Sequence, residues 1–142
     1  MMRYILMILI GLISIPAHAK DAHYCMSEAI YFEARGETQV GMVAVAQVII
    51  NRVKSKLYPD HPCKVVYQKH QFSYYWDGKP EIIRDKKAWQ TSMSIADLVL
   101  SGRVNDITDN ATHYHATYVK PRWLEWVNHI CSIGTHRCYR LK

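Results

Sequence analysis

The chain has 142 residues, and its 18 lysines and arginines exceed its 12 acidic residues, which gives a net charge of +6 with neutral histidines. A chain of this length forms one domain with a substantial core, which argues against a multidomain protein. The basic residues are scattered, with no run of five or more, so the sequence does not indicate a dedicated nucleic-acid-binding arm.

The first 19 residues have the pattern of a secretory signal peptide. Arg3 supplies a short positive region, residues 4–15 are apolar, and Ala17-His18-Ala19 is a small-x-small cleavage site. The apolar stretch is too short for a comfortable membrane span, and an uncleaved N-terminal anchor is the alternative. We predict a leader over residues 1–19 and one domain over residues 20–142. That domain is expected to be monomeric, exported to the periplasm or cell envelope, and not inserted in a membrane after cleavage.

The exported part stays basic, which suits a polyanionic partner. Nucleic acid would be the first such partner to consider for a cytosolic protein. Because export is predicted, an anionic polymer of the cell envelope is the expected partner instead, and no nucleic acid is expected.

Four cysteines follow the predicted leader, an even number that suggests two disulfides in an exported protein. Three pairings are possible. The stretch CSIGTHRC is typical of a hairpin whose turn contains Gly134, and its two cysteines would then lie opposite each other. We therefore favour Cys131–Cys138, and Cys25–Cys63 follows by elimination. A zinc site made of all four cysteines is the alternative, but no C-x-x-C spacing supports it.

Three helices are predicted from the spacing of apolar residues. Residues 22–35 carry an apolar stripe at three- and four-residue spacing. Residues 38–55 are apolar nearly all round, which predicts a buried central helix. Its polar exceptions, Gln47 and Asn51, either hydrogen-bond within the core or line a site. A third amphipathic helix is predicted over residues 85–101.

The remaining segments are shorter. Residues 64–68 are a short apolar piece, and the aromatic stretch over residues 71–80 ends in a turn at Asp77-Gly78. Residues 111–119 alternate and are rich in threonine, tyrosine and valine, which predicts a strand before the C-terminal hairpin. The predicted fold class is α+β, with helices first and a small antiparallel sheet at the C-terminal end.

Glu33 is a carboxylate on a helical face that should be buried. The apolar residues three, four and seven positions before it share its face. Apolar surroundings raise the pKa of a carboxyl group, which is what a general acid needs near neutral pH. Breaking a glycosidic bond requires such an acid, because the leaving oxygen must be protonated. Glu33 is therefore the candidate catalytic residue.

Other readings of these carboxylates stay open. Glu33 could pair with Arg35 or with a lysine at the rim, since structural ion pairs also occur at helix ends. Glu28 falls with Tyr31 and Arg35, which we expect to be a solvated face. Glu37 is expected to be exposed beyond the helix, where it could cap the central helix; it is the weaker candidate for a second catalytic carboxylate.

The stretch AIYFEARGETQVGMVAVAQVIINRV, residues 29–53, resembles the opening of the bacterial cell wall hydrolases of the spore-cortex-lytic (SleB-like) family. Matching stretches continue as CKVVYQ at 63–68, QFS at 71–73, ATHYHA at 111–116 and IGTHRCY at 133–139. The resemblance implies a lysozyme-like domain that cuts the glycan strands of peptidoglycan, with Glu33 as the catalytic acid. Cys138 and His115 depart from the family, in which an aromatic residue is usual at the first position and occurs in some members at the second.

The resemblance also implies a mechanism with a single carboxylate. In family members that are lytic transglycosylases, the acid protonates the bond between N-acetylmuramic acid and N-acetylglucosamine. Its carboxylate then takes the proton of the muramic acid 6-hydroxyl, which closes an anhydro ring. No cofactor and no metal are implied. The residues expected to bind substrate are Glu37, Gln71, Phe72, Tyr114 and His115.

Two other functions are considered. His113 and His115 would lie on one side of a strand, and His129 and His136 could add ligands, as in a zinc-dependent amidase or endopeptidase that cuts peptide stems. No H-E-x-x-H motif supports this. A non-catalytic module that binds peptidoglycan is the other possibility, but binding alone does not need an acid with a raised pKa. The sequence leaves open whether the product is anhydro or hydrolytic, and whether the owner is a bacterium or a phage.

Overall fold

The computed structural model describes residues 20–142, and the predicted leader lies outside the described residues. Within them, five helices come first: α1 Ala22–Ala34, α2 Gln39–Lys54, α3 Pro62–Val66, α4 Ser73–Trp76 and α5 Lys86–Leu100. The C-terminal part contains β1 His113–Ala116, a 3-10 helix Arg122–Trp126, β2 Val127–Ile133 and β3 His136–Leu141. No helix in residues 20–142 is both long enough and apolar enough to cross a membrane.

The three long helices begin at side chains that cap them. Asp21, Thr38 and Asp85 each accept a hydrogen bond from a backbone N–H in the first turn of α1, α2 and α5. Such caps satisfy backbone donors that a helix leaves free at its start. The predicted helices over residues 22–35, 38–55 and 85–101 are thereby confirmed to within a residue or two.

Helix α2 is buried because it is covered on two sides. On one side it packs with α1, α3 and α5 around the main core, to which it contributes Val45 and Ile49. On the other side Val48 packs against Ala111 and Cys138 in a smaller cluster beneath the sheet. A helix covered in this way needs apolar residues nearly all round, which is the pattern of its sequence.

The sheet has three antiparallel strands in the order β1-β3-β2. Strands β2 and β3 form the predicted hairpin, with Ile133 paired to His136 across the turn. Cys131 pairs with Cys138 in the register and is bonded to it. The second disulfide joins Cys25 to Cys63. Both bonds are those that the sequence analysis favoured, and the predicted α+β class is confirmed.

The expectation that Glu28 is solvated is wrong. Its side chain is 1% exposed and forms an ion pair with Lys20 at 2.8 Å. The Tyr67 and Tyr74 hydroxyls donate to the same carboxylate at 2.9 and 3.4 Å. Tyr31 is buried as well, and its hydroxyl accepts from the backbone at the start of α5. Helix α1 is covered on more than one face, which the periodicity of one helix could not indicate.

Gln47 and Asn51 form hydrogen bonds inside the domain, which is the first of the two possibilities given for them. Gln47 donates to the carbonyl of Asn105 and accepts from the backbone N–H of Ile107. Asn51 donates to Asp106, to Thr108 and to the carbonyl of residue 111. Both amides thus hold the loop before β1 on the central helix, as buried amides must find partners.

Two segments differ from their predicted form. The aromatic stretch over residues 71–80 contains the short helix α4, and its turn is made at Gly78 with a positive φ of 74°. The predicted strand over residues 111–119 is shorter and ends at Ala116. It ends there because its partner β3 begins opposite, at His136, so further pairing would run into the hairpin turn.

Candidate active site

Glu33 lies in the last turn of α1, where the apolar stripe of the helix meets the sheet. Its side chain is mostly buried and lines a groove of about 630 Å³. The Tyr114 hydroxyl donates to its Oε2 atom at 3.1 Å. Burial raises the pKa of the Glu33 carboxyl above its ordinary value, and the bond from Tyr114 offsets only part of this rise. A raised pKa keeps this carboxyl protonated to a higher pH than an exposed glutamate, which is the direction that a general acid needs.

The groove is formed mainly by the end of α1, the segment leading into α4, and β1 with the segment that follows it. Arg52 of α2 and His136 of β3 also line it. Among the described residues that line it, Glu33 is the only carboxylate. Its other lining residues are Arg52, His70, Gln71, Ser73, His113, Tyr114, His115, Ala116, Tyr118, Val119, Pro121, Trp123, Trp126 and His136.

Tyr114 connects the sheet to the acid. Burial raises the pKa of its hydroxyl well above the ordinary value, and the neighbouring charge of Glu33 adds to this. The hydroxyl therefore keeps its proton and acts as a donor. The Tyr114 ring packs edge-on against His136 at 5.3 Å between centroids and lies 6.5 Å from Phe72, which limits its movement.

Three of the four histidines that line the groove are at least partly buried, and His70 is exposed. Burial, and next the charge of Arg52, lower the pKa of His113 to about 4, so its ring is neutral at pH 7. His115 has both ring nitrogens within 2.7 Å of partners, the Tyr139 hydroxyl and a backbone carbonyl. Burial lowers the pKa of His136. Within residues 20–142 no three His, Cys, Asp or Glu side chains are grouped so that they could hold a metal ion.

Four of the residues singled out in the sequence meet at this groove: Glu33, Gln71, Tyr114 and His115. Phe72 and Glu37, which were also expected to bind substrate, do not line it. Phe72 is 1% exposed and belongs to the main core, so its ring supports the groove from below instead of presenting a face to it.

Glu37 has a different position from the one expected. It is partly buried, and it accepts hydrogen bonds from the hydroxyl and the backbone N–H of Thr135 in the hairpin turn. Thr38, and not Glu37, caps helix α2. Glu37 therefore ties the loop after α1 to the sheet, which a local reading of the sequence could not foresee because 98 residues separate the two partners.

Sequence reasoning did not place Arg52 or Trp126 at the site. Arg52 is a charged residue two positions before the end of a largely apolar helix, and that contrast was the available signal. Trp126 is 65% exposed at the rim. Nothing in its local sequence distinguishes it from a core tryptophan.

Comparison with known proteins identifies relatives of the whole described domain. The family model described as Cell Wall Hydrolase matches residues 36–139, starting three residues after Glu33. The spore cortex-lytic enzyme of Oceanobacillus iheyensis is 46% identical over 112 residues, which are 78% of this chain and 38% of that protein. The one from Halalkalibacterium halodurans is 37% identical over 112 residues, covering 78% of this chain and 32% of that protein. The chain thus spans about a third of the length of these relatives.

Two solved structures have the same fold. One is the catalytic domain of the germination-specific lytic transglycosylase SleB from Bacillus anthracis, with a TM-score of 0.69 and 28% identity over 88% of this chain and 98% of that one. The other is the catalytic domain of SleB from Bacillus cereus, with a TM-score of 0.66 and 27% identity over 88% of this chain and 94% of that one. The predicted lysozyme-like fold is confirmed by these matches. The chain therefore belongs to the cell wall hydrolase family.

Proposed function

We propose that the protein cleaves the glycosidic bond between N-acetylmuramic acid and N-acetylglucosamine in peptidoglycan, as a lytic transglycosylase. The observation that supports this most strongly is the mostly buried Glu33, with its raised pKa, as the only carboxylate among the described residues that line the groove. The Bacillus anthracis domain, which is named a lytic transglycosylase, shares the fold.

In the proposed reaction, the protonated Glu33 gives its proton to the bridging oxygen while the bond from that oxygen to C1 of the muramic acid breaks. Positive charge develops at C1. The Glu33 carboxylate then takes the proton of the 6-hydroxyl of the same sugar, and the oxygen of that hydroxyl bonds to C1. Glu33 ends the reaction protonated, as it began. The reaction therefore consumes no water and needs no second carboxylate. Glycosidases that admit water use two carboxylates, and the groove offers one among the described residues.

The groove has surfaces that suit a saccharide. Trp123 and Trp126 are among its lining residues, and so are Gln71 and Ser73. Sugar rings pack on aromatic faces and exchange hydrogen bonds with amides and hydroxyls. We infer that Gln71, Tyr114 and His115 contact the glycan strand, whereas Glu37 and Phe72 act indirectly by holding the groove in shape.

The proposed place of action is the cell envelope, reached by export, with the protein acting as a monomer. Two disulfides within a domain of this size are typical of proteins that fold in an oxidising compartment. The excess of basic residues favours adsorption to an anionic wall polymer.

Replacing Glu33 by glutamine tests the mechanism, because the amide keeps the size of the side chain but has no acidic proton. Lysis of purified sacculi should fall about 10²–10⁴-fold. The control is Glu125→Gln, which neutralises an exposed carboxylate on the 3-10 helix and should leave lysis nearly unchanged.

Mass spectrometry of the fragments released by the unmodified protein tests the product. Anhydro-muropeptides are expected. Fragments with an ordinary reducing end would show that water is admitted. Lysis that survives Glu33→Gln would disprove the mechanism, and lysis abolished by a chelator would point to a metal-dependent enzyme instead.

A further inference from the structure

Arg52 is a buried cation at the wall of the groove. The residue is 5% exposed, and its guanidinium is one of the groups that line the groove. Nε donates to the carbonyl of Thr112 at 2.7 Å, and Nη1 donates to Oε1 of Gln71 at 3.0 Å. The third nitrogen, Nη2, makes no hydrogen bond among residues 20–142. The guanidinium is thus oriented by two fixed acceptors and keeps one donor group available.

No carboxylate compensates this charge within the described part of the chain. The ion pairs in residues 20–142 do not include Arg52. The rings of Tyr58 and Phe72 lie 5.2 and 5.7 Å from its guanidinium carbon, which gives partial compensation. A buried charge is costly unless it is paired. Glu28, the other deeply buried ion of the domain, does have a partner of opposite charge.

Arg52 and the acid line the same groove. The Tyr114 hydroxyl donates to Glu33, and the Phe72 ring lies 6.5 Å from the Tyr114 ring and 5.7 Å from the guanidinium carbon of Arg52. The cation and the catalytic candidate therefore face the same stretch of groove. A substrate that places its bridging oxygen at Glu33 would bring the neighbouring sugar and its substituents to Arg52.

We propose that Arg52 is a carboxylate-binding subsite that recognises the muramic acid side of the scissile bond. This proposal rests on the proposed function. N-acetylmuramic acid differs from N-acetylglucosamine by a lactyl group at O3, and the acidic groups of the strand are attached through that group. They are the lactyl carboxylate itself where the peptide stem is absent, and the carboxylates of the stem where it is present. An arginine held by two acceptors, with a free donor edge, suits a carboxylate of either source.

Binding experiments in the inactive Glu33→Gln background separate this subsite from catalysis. Three saccharides of equal length are titrated by calorimetry: a peptide-free GlcNAc–MurNAc tetrasaccharide, the same tetrasaccharide carrying peptide stems, and neutral chitotetraose. Adding Arg52→Gln should weaken the binding of at least one acidic saccharide about tenfold or more, and that of chitotetraose less than about threefold. A loss limited to the stem-bearing saccharide assigns the carboxylate to the stem; a loss with the peptide-free one assigns it to the lactyl group.

Two variants of Gln71 guard against a folding defect in Arg52→Gln, and a variant of Arg140 controls for the lost charge. Gln71→Glu keeps Arg52 in place but gives it an internal carboxylate, so it should reduce the preference for acidic over neutral saccharide without removing the cation. Gln71→Leu loses the same amide without adding charge, so the preference for acidic saccharide should fall less in it than in Gln71→Glu. Arg140→Gln is the charge-matched control, because Arg140 is exposed and outside the groove.

Three results would overturn the proposal. Arg52→Gln could weaken the binding of all three saccharides equally, which is the result expected if Arg52 only supports the structure of the groove. Gln71→Glu could leave the preference for acidic saccharide intact. The unmodified groove could bind chitotetraose as tightly as the acidic saccharides. If none of the saccharides binds while Arg52 is intact, the proposed function itself fails, and that outcome is distinct from the other three.

Discussion

The hydrogen bond between the Tyr114 hydroxyl and the Glu33 carboxyl affects the pKa of Glu33. Burial disfavours the charged carboxylate, whereas the hydrogen bond from Tyr114 favours it. The balance leaves the Glu33 pKa raised. A general acid must be protonated to act, so activity should fall as the pH rises through this pKa.

Replacing Tyr114 by phenylalanine should move that fall to higher pH. The change removes the hydrogen bond that stabilises the Glu33 carboxylate, so the pKa of Glu33 rises further. The alkaline limb of the pH–activity profile for sacculus lysis should shift upward by about 0.5–1 pH unit. Tyr118→Phe removes a hydroxyl from the same groove without a bond to Glu33 and should leave the limb in place. An unmoved or downward-shifted limb in Tyr114→Phe would contradict this account.

At the scale of elements, the loop between α1 and α2 is tied to the β2–β3 hairpin through Glu37 and Thr135. Gly134 makes this approach possible. Its φ is 56°, and a Cβ atom there would lie 2.9 Å from Oε2 of Glu37. Strand β3 pairs with β1, which carries Tyr114, so the tether also holds the sheet in its position beside the acid.

Gly134→Ala should destabilise the domain through both effects, the positive φ and the contact with Glu37. The free energy of unfolding should fall by about 2–3 kcal/mol. Gly102→Ala is the matched control, because its φ is 71° but its Cβ would meet nothing within 4 Å. That variant should lose only about 1 kcal/mol. Urea unfolding followed by tryptophan fluorescence measures both, and equal losses would show that the approach of Glu37 is unimportant.

At the scale of the whole molecule, two disulfides brace opposite ends of the chain. Cys25–Cys63 joins α1 to α3 over a sequence separation of 38 residues, and Cys131–Cys138 crosses the hairpin over a separation of 7. Since a crosslink restricts the unfolded chain more when it closes a longer loop, the first bond should contribute more to stability.

Replacing each pair of cysteines by serines should show this difference. Loss of Cys25–Cys63 is expected to cost about 4 kcal/mol, and loss of Cys131–Cys138 about 2.5 kcal/mol, from loop length alone. Urea unfolding of the two double variants gives the comparison. Cys25 and Cys138 are both buried, so the effect of replacing a buried sulfur is similar in the two variants. A larger loss from the hairpin bond would contradict the loop-length account.

Across these scales, the sequence by itself determined the features that depend on neighbours along the chain. The three long helices follow from apolar spacing, because a helix is stabilised by contacts within a few residues. The caps that the structure shows at their starts are local contacts of the same kind. The hairpin and its disulfide follow from one turn sequence. Glu33 was found because the apolar stripe that buries it lies on its own helix.

The tertiary structure alone decided which side chains meet across the chain. It buried Glu28 beside Lys20, placed Phe72 below the groove, and brought Glu37 to the hairpin. It also placed Arg52, a residue of a buried helix, among the residues that line the groove. The physical reason is that burial and pairing depend on which elements cover a given face, and local spacing contains no information about partners that lie dozens of residues away.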